Sequence, residues 1–364
     1  MKIFDCFMYF DEEMLLDLRL NILDKYVDYF VIVESVFNHK GDKRNLQFNS
    51  KKFEKFKDKI IYLIYDENLS KIEKILEKDS VEEKSRKLIF NAAYRENGQR
   101  NFIINGLKEA DDEDIILVSD VDEIPNFENI DLSKIQKKII LFKQDMFYYK
   151  FNLKLPNLIW TGTKACKKKY LKSPQWLRNI KDKKFYFYRI DTLFSKTKYT
   201  NVEFIDNGGW HFTNIKTAAE IEHKLKSYLH HREFDENPIS ERKIFEIIKN
   251  KRAIYNLKTD KRLTKFGKGD KLEKYPIEKL IDQSSWFGHK NSIRNIIDNN
   301  DSTRINFLFS QSFYINSNLP NLENINGNYY PKGYGSFSKI LVSYNNKNYS
   351  LSFEPIIIDR KSYK

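Results

Sequence analysis

The stretch Leu117-Val118-Ser119-Asp120-Val121-Asp122-Glu123-Ile124-Pro125 constrains this chain more than any other. The apolar run from Ile115 to Val118 has the length of a buried strand, and it runs straight into the carboxylates Asp120, Asp122 and Glu123. Pro125 then ends regular pairing, because it has no N–H to donate. Acids at i and i+2 beyond a strand end share a small volume. They repel one another unless a cation or a set of hydrogen-bond donors holds them. A divalent ion with oxygen ligands is one solution, and its remaining positions suit phosphate. Acidic capping of a following helix is the other. An EF-hand loop is excluded: its sixth position requires Gly, and Pro125 stands there.

The segments before this stretch decide the kind of fold that holds it. Ile3–Tyr9 reads as a strand, and Asp11-Glu12-Glu13 open a helix with Leu15, Leu18, Ile22 and Leu23 on one face. Tyr29–Glu34 is an apolar run closed by an acid, the pattern of a strand buried on both faces, and Ile60–Tyr65 is a third strand. The pattern predicts a charged helical region from about Leu69 to Lys87. It then predicts a helix over Leu88–Ala110 carrying Arg95, Gln99, Arg100 and Asn101. This alternation implies an α/β fold with a mostly parallel sheet flanked by helices. Open sheets of that kind bind ligands at the carboxyl ends of their strands. Glu34, the polar loop Ser35–Asn45 and Asp120–Glu123 all fall there.

Residues 138 to 210 change character. Ile139–Phe142, Met146–Phe151 and Phe185–Ile190 read as short aromatic strands, with a basic loop at Lys164–Lys169. Asn207-Gly208-Gly209-Trp210-His211-Phe212-Thr213 follows, and then helices over Ile215–His231 and Ile239–Leu257. From about Tyr275 the chain is Asn-rich, and Lys339–Ile358 reads as a small β-hairpin region.

The net charge of +13 favours anionic partners: nucleic acid, a phosphorylated small molecule, an acidic glycan or an anionic membrane surface. The lysines are dispersed, however, as on an ordinary solvated face. Cys6 and Cys166 form no CxxC pair, so neither a zinc motif nor a disulfide framework is indicated. Reduced thiols in a cytosolic compartment are expected. The opening MKIFDCFMYFDEE is too short and too interrupted for a signal peptide. No run approaches the roughly 18 apolar residues of a membrane span. A cytoplasmic protein is expected, with room for peripheral contact at the inner face of a membrane.

Several ordered segments together resemble glycosyltransferase family 17: FDCFMYFDEEMLLDLRLNILDKYVDYFVIVES, GDKRNLQF, RENGQRNFIINGL, SDVDEIP, NGGWHFT and KLKSYLHHREF. That family includes the β-1,4-mannosyl-glycoprotein β-1,4-N-acetylglucosaminyltransferases and many bacterial and viral relatives. The resemblance spans residues 3 to 235 or so. It implies a GT-A type, Rossmann-like fold over residues 1–257, with a nucleotide-sugar half to about residue 125 and an acceptor half beyond it. Residues 258–364 would form a C-terminal extension of unassigned role. It also implies inverting, metal-dependent transfer of a sugar from a UDP-sugar, UDP-N-acetylglucosamine being favoured. The expected acceptor is a glycan or glycolipid, and no nucleic-acid partner is expected.

Under the resemblance, Asp120 and Asp122 match the acidic DxD motif that holds Mn²⁺ or Mg²⁺, and His211 completes the set. Glu123 orients the loop or a neighbouring base. Trp210 offers a flat face to a sugar, or is core. The general base is sought near the acceptor side, at Asp206 before Glu203, with Asp145 and Glu233 as further candidates. Arg95 and Arg100 either clamp phosphate or pair with nearby acids. Lys224 and His230 close over the diphosphate or position the GGWH loop, and Glu34 with the loop after it meets the nucleoside. Lys167–Lys169 is read as a solvated loop.

Two other functions fit parts of this pattern. A metal-dependent nucleotidyl or phosphodiester-transfer enzyme also uses paired acids, but it calls for a second acid cluster that is not seen. A basic nucleic-acid-binding protein fits the charge and the aromatics, but no RNP, KH or zinc-finger signature is present.

Overall fold

The structure is a computed structural model. It describes residues 1–66, 72–128, 130–186, 188–227, 234, 238–254 and 269–275, and further on the strands 304–316, 333–345, 350–353 and 356–361. The chain divides into two compact units, Met1–Ile277 and Glu278–Lys364.

The first unit is built on a sheet whose first half is parallel. Strands β1 (Ile3–Tyr9), β2 (Tyr29–Ser35), β3 (Ile60–Tyr65) and β4 (Ile115–Asp120) lie in the order β3-β2-β1-β4. All three pairings are parallel. Alternate residues of β1 show why its apolar run is continuous. Phe4 and Cys6 face a core made with Val31, Val33, Ile103, Ile116 and Val118. Asp5, on the other face, meets Arg19 of helix α1 (Glu13–Leu23). Both faces are covered, so both need burial. The expected α/β class and Rossmann-like sheet are what the structure shows.

The second half of the sheet is mixed. β6 (Ile139–Tyr148) and β7 (Leu153–Lys167) form a long antiparallel hairpin with two register irregularities, and β7 joins the parallel half through β4. β8 (Val202–Ile205) and β9 (Gly209–Thr213) both run parallel to β6. The short β5 (Glu123–Pro125) pairs antiparallel with β9, and β10 (Glu273–Lys274) with β7. Helices α4 (Ala218–Ser227) and α5 (Glu241–Lys249) pack Ile221, Leu225, Ile244 and Ile247 against Tyr148, Tyr149, Leu153 and Leu155.

Several expected elements differ. Residues 72–80 are not helical. Helix α2 runs Val81–Phe102, starting where Ser80 accepts from Glu83 N–H, a serine cap followed by acids. It ends before Ala110, with a tighter turn over Ile103–Gly106. A Cβ on Gly106 would come 2.5 Å from Val31 Cγ1, so the chain there lies too close to β2 for a side chain. Lys164–Lys167 is strand rather than loop, and Lys164 is buried. Phe185–Ile190 is not a strand: among the described residues it pairs with nothing in the sheet, and Tyr186 and Tyr188 lie exposed. Helix α4 starts at Ala218, where Thr217 and Glu220 bond reciprocally. Its expected end at His231 lies outside the described residues.

In the second unit, β11 (Arg304–Asn316), β12 (Gly333–Asn345), β13 (Ser350–Phe353) and β14 (Ile356–Lys361) form an antiparallel sheet, with β12 between β11 and the other two. The hairpin read at Lys339–Ile358 is the later part of this larger sheet. The strand at 304–316 went unread because Asn, Ser and Gln interrupt its apolar residues.

Candidate active site

The carboxyl ends of β1, β2 and β4 open onto a cavity of about 370 Å³. Met8–Phe10 come from β1 and the turn after it, Ser35, Phe37 and His39 from the loop after β2, and Asp120–Glu123 from the end of β4. Helix α2 adds Glu96, Gln99 and Arg100; β7 adds Trp160; β9 adds His211 and Thr213; α4 adds Lys224.

The acidic turn is held from beneath by a residue that sequence reasoning passed over. Arg19 of α1 is fully buried and bidentate to Asp5, at 2.7 and 2.6 Å. Its guanidinium also donates to the backbone carbonyls of Asp120 (3.1 Å), Val121 (3.3 Å) and Glu123 (2.9 Å) and to Ser119 Oγ (2.5 Å). One side chain thus sets the path of the whole turn. An Arg inside the apolar run LLDLRLNIL, with an Asp inside IFDCFMY, was the available signal.

Glu123 is buried and fully engaged. It accepts from Asp120 N–H (2.9 Å), Trp160 Nε1 (2.6 Å) and Arg178 Nη2 (2.6 Å). It orients the loop, as one of its two expected roles required. Gly162 makes room for it, since a Cβ there would sit 2.6 Å from Glu123 Cδ.

Asp120 is gripped from two sides. Arg100 Nη2 lies 3.1 Å from one carboxylate oxygen and Arg178 Nη2 2.7 Å from the other. Burial opposes ionisation, but Arg178 and then Arg100 outweigh it and hold this carboxyl well below the usual range. Arg178 belongs to helix α3 (Pro174–Asn179), capped by Ser173. No local pattern connects it with Asp120, so it was not found from sequence.

Asp122 faces His211 across 3.5 Å, from Oδ2 to Nε2. Burial raises the carboxyl, but the imidazole more than compensates and lowers it. Conversely burial lowers His211, and the Asp122 charge overcomes this and raises it. His211 reaches this place because β5 and β9 pair with Glu123 directly opposite His211. Gly209 permits that approach. Its φ is +125°, and a Cβ there would overlap the carbonyl oxygen of Ile124. Among the described residues, His211 Nδ1 and Arg100 Nε are buried without a hydrogen-bond partner.

The structure thus brings together Asp120, Asp122, His211, Arg100 and Lys224 at one cavity. The other candidates stand elsewhere. Trp210 alternates with His211 and points the opposite way, buried and stacked on Phe212; Trp160 supplies the aromatic wall, its ring 5.2 Å from that of His211. Asp206 is 78% exposed and pairs with Lys143 at 2.8 Å, and neither it nor Glu203 of β8 lines the cavity. Asp145 pairs with Lys154 at 2.7 Å. Glu34 is buried under the loop it was expected to serve. It accepts from Arg44 (2.9 Å), Gln47 N–H (2.7 Å), Phe48 N–H (3.1 Å) and Tyr62 OH (2.8 Å), and so pins the loop instead of facing the cavity. Arg95 does the same from α2, donating to the carbonyls of His39 (3.2 Å) and Lys40 (3.1 Å). His230 and Glu233 lie outside the described residues. Lys167 and Lys169 both pair with Glu113.

A further acid, Glu12, lines the cavity and was read only as part of a helix start. Its Oε2 accepts from the N–H groups of Phe10 (3.2 Å) and Asp11 (3.1 Å). Burial, and then the neighbouring Asp11, raise its carboxyl above the ordinary value.

Among the described residues, no group of three or more His, Cys, Asp or Glu side chains converges as a metal centre. The donor set nevertheless fits an ion shared with a ligand. A carboxylate and an imidazole nitrogen 3.5 Å apart approach the roughly 3 Å that separates neighbouring ligands about 2.1 Å from one ion. Sites with one or two carboxylates leave their other positions to phosphate and water.

The family model described as glycosyltransferase family 17 matches residues 1–262. No curated protein matches the chain.

Proposed function

The chain belongs to glycosyltransferase family 17, and from that premise we propose that it moves N-acetylglucosamine from a UDP-sugar to a glycan or glycolipid acceptor. A glycosyltransferase requires a sugar donor and an acceptor; the choice of UDP-N-acetylglucosamine, the inversion and the metal are our reading. The single observation that carries it is the meeting of Asp120, Asp122, His211, Arg100 and Lys224 at the carboxyl ends of a parallel sheet.

Asp122 and His211 would hold Mn²⁺ or Mg²⁺, with Asp120 beside them. Such an ion, when bound, stabilises the negative charge of a departing nucleoside diphosphate. Arg100 and Lys224 face the same space and suit the diphosphate oxygens. Tyr9, Phe10 and Phe37 offer flat walls to a base, and Trp160 offers one to the sugar. For the general base we place Glu12 ahead of Asp206 and Glu203. It lies in the cavity, and among the described residues its carboxylate pairs with no cation. As the acceptor oxygen bonds to the anomeric carbon and the bond to diphosphate breaks, Glu12 takes the hydroxyl proton.

Thermal-shift measurement tests the donor. UDP-N-acetylglucosamine with Mn²⁺ is expected to raise the melting temperature, and Asp122→Asn to lose that shift while keeping the fold. If no UDP-sugar stabilises the protein even with metal, the donor assignment fails. Glu12→Gln is expected to keep the shift and to lose transfer by about a hundredfold or more. Unchanged turnover would move the base to another cavity acid.

A further inference from the structure

The segment expected as an aromatic strand at 185–190 folds instead into a tied loop. Lys181 N–H donates to Thr197 O at 2.8 Å and closes its base. Phe185 is buried, and Trp176 Nε1 of α3 holds the far leg through Lys196 O at 3.0 Å. Ser195 Oγ accepts from the N–H groups of Thr197 and Lys198. The base is therefore fixed, and what the loop carries is presented outward. Ile190, Leu193 and Phe194 are 72%, 78% and 85% exposed, and the stacked pair Tyr186 and Tyr188 is exposed beside them in sequence. Five large apolar or aromatic side chains exposed along a short stretch of one tethered loop mark an interaction surface, where single exposed apolar residues would not.

The surrounding charge says what kind of surface it meets. Residues 181–198 hold six cations and two acids. Asp191 is held by Arg189 at 2.7 Å and by Lys198 at 2.8 Å. Lys181, Lys183, Lys184 and Lys196 stand exposed on the same loop. Apolar and tyrosine tips with lysines around them match the layering of an anionic bilayer, acyl chains below and charged headgroups above. A second copy of the chain would bring the same cations against these. Among the described residues no helix is long and apolar enough to cross a membrane, so contact through this loop would be interfacial.

We propose that the loop 182–196 is a membrane-docking element, seating Tyr186, Tyr188, Ile190, Leu193 and Phe194 in the headgroup region of an anionic bilayer while its lysines pair with lipid phosphates. Helix α3 carries both Trp176, which anchors the loop, and Arg178, which grips Asp120. A docked bilayer would thus be tied, through the anchor of the loop, to the element that braces the acidic turn.

Vesicle co-sedimentation of the full chain tests this, with no sugar or metal present, so the result does not depend on the transferase reading. The chain is expected to sediment with phosphatidylcholine vesicles containing about a third phosphatidylglycerol, and weakly with phosphatidylcholine alone. Leu193→Ser/Phe194→Ser is expected to keep the wild-type melting curve and lose binding to the anionic vesicles at least tenfold. Lys183→Glu/Lys184→Glu is expected to lose binding to the anionic vesicles only. Equal binding by the Leu193/Phe194 variant overturns the proposal. So does a wild-type oligomer that this variant dissolves, which would make the patch a protein contact.

Discussion

At the scale of single residues, the site depends on two arginines with different duties. Arg19 is locked in place by Asp5 and defines the backbone of the acidic turn; Arg178 meets the side chains of Asp120 and Glu123. Arg19→Leu strands a buried Asp5 and three loop carbonyls, and is expected to cost about 3–5 kcal/mol in chemical denaturation. Adding Asp5→Leu is expected to restore part of that stability without restoring donor binding, because the carbonyls stay unbraced. Full recovery of both would show the turn to be self-supporting. His39 gives a pH test. Burial is the main influence on it and holds its imidazole below the ordinary value of 6.5, with Glu96 opposing. The folded state then binds fewer protons than the unfolded state as pH falls through that value, so stability declines on acidification. His39→Gln is expected to flatten the fall in melting temperature between about pH 7 and pH 5, whereas parallel curves would show that His39 is charged without cost. Asp120 and Asp122 were legible because a strand end marked them, and His211 because it falls in the family's NGGWHFT motif. Trp160 was not, because which side chain meets which across a sheet depends on register, and Arg178 was not, because it reaches Asp120 from helix α3, distant in sequence. Trp210, one residue from the site, is turned away by that same alternation.

At the scale of elements, the strands β1 to β4 were plain in the sequence because each carries a nearly continuous apolar run, as burial on both faces of β1, β2 and β4 requires. The mixed half was legible only in pieces. β6 reads as two fragments because it is irregular near Phe142 and Met146, and 185–190 has strand composition with no partner strand among the described residues. The serine and threonine caps of α2 and α4 were visible signals left unused. The three-residue β5 is a short element with a large task, since its ladder to β9 sets His211 beside the acids. Gly209→Ala is expected to break that ladder. The methyl overlaps Ile124 O and the φ is one that alanine avoids, so a loss on the order of 3 kcal/mol or more and no donor-induced thermal shift should follow. A variant with near-normal stability would mean that β5 can move aside at little cost.

At the scale of the whole molecule, the unit Met1–Ile277 has its own sheet, cores and cavity. Expressed alone, residues 1–277 are expected to unfold in one cooperative transition and to keep the response to UDP-N-acetylglucosamine and Mn²⁺. A broad, non-cooperative melt would show that the remaining residues complete the fold. The sheet order β3-β2-β1-β4 carries a further consequence for biosynthesis. β1 leaves the ribosome first and finds β2 soon, but its other edge pairs with β4, which begins only at Ile115. At common translation speeds of about 5–20 residues per second, that apolar edge stands open for on the order of ten seconds. An open strand edge recruits other chains. A nascent polypeptide paused before Ile115 is therefore the form of this protein most in need of a chaperone.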